Sequence, residues 1–190
     1  MAGEAALGKG GAGYSETPLA RKLGIAPGSA VVLLDAPDGF DQVLAPLPDG
    51  VRMTRRLPRG NRKADVAVFF VTAGADLDRR FDAVAAALTP AGGFWVAWPK
   101  RSSGVPTDLT ENLIRDIGVA HGMVDNKVCA VTDVWSGLRF VVRLADRAAW
   151  PPAATTGTPA RTPGRGRPGR ATGRVPGGPR AGRGPAGPAP

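Results

Sequence analysis

Lys100-Arg101-Ser102-Ser103-Gly104 places two positive charges, two hydroxyls and a flexible backbone joint directly after an apolar run, Gly92–Trp98. Such a set can hold an anion. Cations and hydroxyls donate to its oxygens, and a glycine lets the backbone approach without a Cβ in the way. Asp35 ends another apolar run and can contact the same ligand, and Trp98 stands where it can border the mouth of a cleft. Asp125-Asn126-Lys127 is a further polar cluster. Each group also has a plainer explanation: a solvated connection stiffened by Pro99 and Pro106, an acidic turn residue, a core tryptophan, or an Asx turn before a strand. No nucleophile has a candidate base beside it, so we expect no catalytic residue and no metal site.

Periodicity shows which elements must position these residues. Tyr14–Gly24 predicts a short helix with Pro18 in its first turn and Gly24 as its stop. Continuous apolar runs predict buried strands at Ala30–Leu34, Asp65–Val71 and Phe94–Trp98, and Val51–Arg56 predicts a more polar one. Helices are expected at Phe40–Leu47, at Ala75–Leu88 with Leu77, Phe81, Val84 and Leu88 on one face, and at Asp108–Val119 with a capping box from Asp108 to Glu111. Val128–Thr132 and Leu138–Leu144 are joined by too short a link for a parallel crossover, so they predict an antiparallel hairpin. The result is an α/β fold: a three-layer, mostly parallel, Rossmann-like sheet ending in an antiparallel hairpin. Ligands of such sheets bind outside the strand carboxyl ends, which draws Asp35 and Trp98–Gly104 into one region. Strand alternation sends Trp95 and Trp98 to opposite faces, so they cannot form one stacking platform. His121 reads as an exposed loop residue and Cys129 as a small buried hydrophobe.

Composition divides the chain. We expect a flexible leader at 1–13, a domain at 14–147 and a disordered Arg/Gly/Pro-rich tail at 148–190. From Pro151 onward there are ten prolines, ten glycines, seven arginines and no acid, so those arginines account for seven of the nine net positive charges. Arg161, Arg165, Arg167, Arg170, Arg174, Arg180 and Arg183 suit loose contact with nucleic-acid phosphates, or simple solvation. The single cysteine excludes an intramolecular disulfide and fits a reducing compartment, so we expect a cytoplasmic protein. The start of the chain lacks the pattern of a secretory signal, and no apolar run approaches the ~20 residues of a membrane span.

Pro27-Gly28-Ser29-Ala30-Val31-Val32-Leu33-Leu34-Asp35, Asp65–Val71, Gly92-Gly93-Phe94-Trp95-Val96 and the closing hairpin together resemble a shortened class I methyltransferase-type Rossmann domain over Pro27–Leu144. The resemblance implies a cofactor turn after the first strand and a carboxylate at the end of the second. This chain departs from both. Asp35-Ala36-Pro37-Asp38-Gly39-Phe40 keeps one glycine, and Thr54-Arg55-Arg56-Leu57 offers cations where a ribose acceptor is needed. A second resemblance is to a family of short uncharacterised bacterial proteins, a domain of unknown function, spanning Gly13–Arg143. It rests on Tyr14-Ser15-Glu16-Thr17-Pro18-Leu19, Trp98-Pro99-Lys100-Arg101, Gly104-Val105-Pro106-Thr107-Asp108-Leu109-Thr110 and Val124-Asp125-Asn126-Lys127-Val128-Cys129-Ala130-Val131. It implies no activity.

These observations lead to a non-catalytic, methyltransferase-like domain without a cofactor, which binds a small anionic ligand or a protein partner at the strand carboxyl ends. Two alternatives stay open: a divergent S-adenosylmethionine-dependent methyltransferase, and a nucleic-acid-associated protein acting through its tail.

Overall fold

Ala30–Leu34 (β1), Arg52–Thr54 (β2), Ala64–Phe70 (β3), Leu88–Pro99 (β4), Val124–Ala130 (β5) and Trp135–Val141 (β6) form one sheet in the computed structural model, which describes residues 17–150. Their spatial order is β2-β1-β3-β4-β6-β5. β1 is parallel to β2 and β3, β3 is parallel to β4, and β6 runs antiparallel between β4 and β5. The order reverses between β1 and β3, which puts the topological switch point at the carboxyl ends of those two strands.

Alternation along the strands builds two cores. On one face Val31, Leu33, Val68, Phe70 and Trp95 pack beneath the short helices Leu19–Lys22 (α1) and Phe40–Val43 (α2). On the other, Val32, Phe69, Phe94, Val96 and Trp98 meet Leu77, Phe81 and Val84 of Gly74–Ala86 (α3) and Ile114 of Glu111–Ala120 (α4). The two tryptophans therefore sit on opposite faces, as their spacing requires. Trp95 also donates from Nε1 to the Leu23 carbonyl at 2.9 Å, which satisfies its buried polar atom. α4 can lie close to the sheet because residue 118 is glycine. A Cβ there would overlap the Phe140 ring.

Several boundaries move for physical reasons. Leu88 belongs to β4 rather than to the preceding helix, because β4 pairs with Ala64 at its start before the register shifts at Val66. The expected capping box at Asp108 does not form. Thr110 is the N-cap, its hydroxyl accepting from Leu113 N at 3.2 Å, because Asp108 is engaged elsewhere. β5 begins at Val124, so Asp125-Asn126-Lys127 is part of an edge strand with a bulge and is not a turn. An edge strand tolerates such polar residues, since one side faces solvent. The two halves of the hairpin meet in a tighter link than expected, with Thr132 Oγ1 accepting from Val134 N and Trp135 N.

Candidate functional site

At the switch point the chain turns sharply after β1. Asp35 adopts a left-handed conformation, φ 52°, and its side chain is 55% exposed. The carboxylate does not face an open cofactor turn. It accepts from Arg80 Nη1 at 2.5 Å, and the same nitrogen reaches Asp76 at 3.3 Å. Arg79 also pairs with Asp76, one turn along α3. Arg80 is fixed further by lying over the Phe69 ring, 4.3 Å from its centroid. Burial alone would raise the Asp76 pKa, but the two arginines outweigh it and hold the carboxyl below its usual range.

The end of β2 is tied back in the same way. Arg55 donates to the Ala36 carbonyl at 3.0 Å and to Asp41 at 3.2 Å, so it braces the turn after β1. Beneath that turn Phe40, Phe70 and Trp135 pack edge to face, with centroids 4.7 and 5.1 Å apart.

The end of β3 is closed by the loop that precedes α4. Asp108 Oδ1 accepts from Gly74 N, the first amide of α3, at 2.8 Å. Thr107 Oγ1 donates to the Thr72 carbonyl at 2.6 Å and accepts from Leu109 N at 3.0 Å. A carboxylate already occupies the helix N-terminus where a phosphate would otherwise be favoured.

The remaining expected site residues separate into two places. Lys100, Arg101, Ser102, Ser103 and Gly104 stay at the carboxyl end of β4, where Arg101–Ser103 forms one 3-10 turn and Gly104 has φ 71°. Ser103 is spent locally, donating to the Lys100 carbonyl at 2.7 Å and accepting from Val105 N at 3.3 Å. Arg101 and Ser102 are exposed. Trp98 does not border a cleft: it is 8% exposed and belongs to the core against α3 and α4. Asp125, Asn126 and Lys127 are not at this end at all. Asp125 is level with Phe140, which pairs with Phe94, five residues before Pro99 at the carboxyl end of β4. Asp125 pairs with Arg115 at 3.0 Å, and Lys127 donates to the Lys22 carbonyl at 2.9 Å.

His121 corrects the expectation of an exposed loop residue. It caps the end of α4, stacks on Phe81 at 4.8 Å, and lies with both ring nitrogens against carboxylates: Asp82 at 2.7 Å and Asp78 at 3.0 Å. Burial would lower its pKa, but the two carboxylates more than offset that and raise it. Cys129 is half-buried, and burial pushes its thiol up, away from a reactive thiolate. Among the described residues no cluster of three His, Cys, Asp or Glu side chains could hold a metal ion, and no helix is long and apolar enough to cross a membrane. The seven tail arginines, Arg161 to Arg183, lie outside the described residues.

Sequence reasoning missed Arg80, Thr107 and Asp108 as the residues that close the switch point. Their partners are 34 to 45 residues away, and no local pattern marks them.

The usual receiving groups for S-adenosylmethionine, the cofactor implied by the methyltransferase resemblance, are altered here. The turn after β1 keeps a single glycine and carries Asp35 paired with Arg80, and the end of β2 presents Arg55 in place of a carboxylate that could accept from ribose hydroxyls.

No family model matches the chain, and no curated protein matches it. Solved structures do. A putative methyltransferase from Thermoplasma acidophilum is 10% identical over 67% of this chain and 75% of its own, with a TM-score of 0.43. A SAM-dependent methyltransferase from Aquifex aeolicus is 11% identical over 64% and 86%, with a TM-score of 0.46. The fibrillarin pre-rRNA processing protein of Methanococcus jannaschii is 15% identical over 68% and 70%, also at 0.46. At such identities the likeness concerns the fold and nothing further. By its own strand order, with antiparallel β6 set between β4 and β5, the domain is a Rossmann-like α/β fold of methyltransferase type.

Proposed function

We propose that the domain acts by binding and not by catalysis, with the Lys100–Gly104 corner as its contact for a small anionic ligand or an acidic protein partner. One observation carries this reading. The protein's own side chains take the switch-point groups: Arg80 takes Asp35, and Asp108 takes the first amide of α3. The exposed cation and hydroxyl of Arg101 and Ser102 lie beside that closed surface. Isothermal titration with S-adenosylmethionine, S-adenosylhomocysteine and a panel of nucleotides and simple anions tests it. The expected result is no heat from the two adenosyl compounds and an anion response abolished in Lys100→Gln/Arg101→Gln. No response to any anion counts against a ligand and leaves only the protein partner.

A divergent methyltransferase is the second reading. Two observations favour it: the β2-β1-β3-β4-β6-β5 order, and Asp35 standing half-exposed in a left-handed turn after β1. Binding of S-adenosylmethionine at micromolar concentration, abolished by Asp35→Ala, would establish it over the first.

A further inference from the structure

Between Asp49 and Asp65 the chain carries six cations, Arg52, Arg55, Arg56, Arg59, Arg62 and Lys63, and no acid. In a methyltransferase-type sheet this stretch leads from one edge strand back to the centre. Here it is β2 followed by an irregular loop, with Thr54 Oγ1 accepting from Arg56 N at 3.2 Å to set the first bend. The loop and the sheet edge enclose an open groove of about 980 Å³. Five of the six cations line it, and no carboxylate does.

The pairing of these cations differs from that of Arg79, Arg80 and Arg115. Arg79, Arg80 and Arg115 all meet carboxylates, and Arg55, which does not line the groove, meets Asp41. Lys63 reaches the Ala86 carbonyl at 2.5 Å. Arg52, Arg56, Arg59 and Arg62 are exposed and make no side-chain hydrogen bond or ion pair among the described residues. Protection of an edge strand from aggregation accounts for Arg52. It does not account for Arg59 and Arg62, which lie beyond the strand.

Several unpaired guanidinium groups around one open channel select phosphate oxygens. The groove has no aromatic side chain, so it cannot stack an unpaired base. We propose that this groove is a sequence-independent contact for the phosphodiester backbone of duplex nucleic acid. The site is separate from the Lys100–Gly104 corner and does not depend on it.

The test is fluorescence anisotropy of the full chain on a labelled 20-base-pair DNA duplex across a range of salt, comparing the wild type with Arg56→Gln/Arg59→Gln/Arg62→Gln. Both proteins keep the tail, so its seven arginines cancel. The triple variant should bind more weakly, and its slope of log affinity against log salt should be shallower by about 2 to 3, at about 0.9 for each phosphate that is no longer neutralised. Equal slopes for the two proteins would overturn the proposal. So would arginine-dependent binding of inorganic tripolyphosphate without binding of the duplex, which would make the groove a small-anion site. Circular dichroism of both proteins confirms that weaker binding does not come from unfolding.

Discussion

The switch point and the β2 edge both hold arginines, but they use them differently. At the switch point Arg80 reaches Asp35, 45 residues away in sequence, and also Asp76, and Arg55 braces the turn after β1. At the β2 edge Arg52, Arg56, Arg59 and Arg62 face a groove with no acid in its lining. The contrast teaches that a charge at the expected ligand position of a fold is weak evidence of a ligand until its partners are known. Charges with internal partners serve the fold, whereas charges without them are free to serve something outside it.

Breaking a tie at the switch point therefore costs stability. The largest effect is expected from Asp108→Ala, which leaves the buried Gly74 amide without an acceptor and should cost about 1 to 2 kcal/mol in urea unfolding. Asp108→Asn keeps an acceptor oxygen and should recover most of that stability.

A smaller, pH-dependent effect is expected where α3 meets α4. Folding raises the His121 pKa above its ordinary 6.5. Its contribution is therefore complete below pH 6.5 and is lost as pH rises through the raised value. Because Asp78 and Asp82 are largely exposed, the loss should stay under about 1 kcal/mol. Unfolding of the wild type and of His121→Gln between pH 6 and 9 checks it, and the variant should show a flatter profile.

What was legible in the sequence follows from the range of the interactions involved. Buried strands and the opposed faces of Trp95 and Trp98 depend on alternation over a few residues, and the structure keeps both. The switch-point closure depends on pairs such as Asp108 with Gly74 and Arg80 with Asp35, which only tertiary structure brings together. For the same reason Asp125-Asn126-Lys127 has the look of site material but lies toward the amino end of β5, away from the Lys100–Gly104 corner, held by Arg115 and the Lys22 carbonyl. His121 reads as exposed because its two carboxylates sit on another helix. The groove is the opposite case. Its signal, six cations in the twelve residues 52–63 without an acid, is present in the sequence as a local charge run. Taking Arg55 and Arg56 alone, as a failed ribose acceptor, hides it.

Arg80 is bound into the fold, whereas Arg56, Arg59 and Arg62 have no side-chain partner among the described residues. Urea unfolding of Arg80→Gln beside Arg56→Gln/Arg59→Gln/Arg62→Gln tests it most directly. The single change should cost about 1 kcal/mol, because it removes an ion-pair network and the packing of a guanidinium on the Phe69 ring. The triple change should stay within about 0.5 kcal/mol of the wild type. Equal losses, or a larger loss in the triple variant, would show that the groove arginines hold the fold as firmly as Arg80 does.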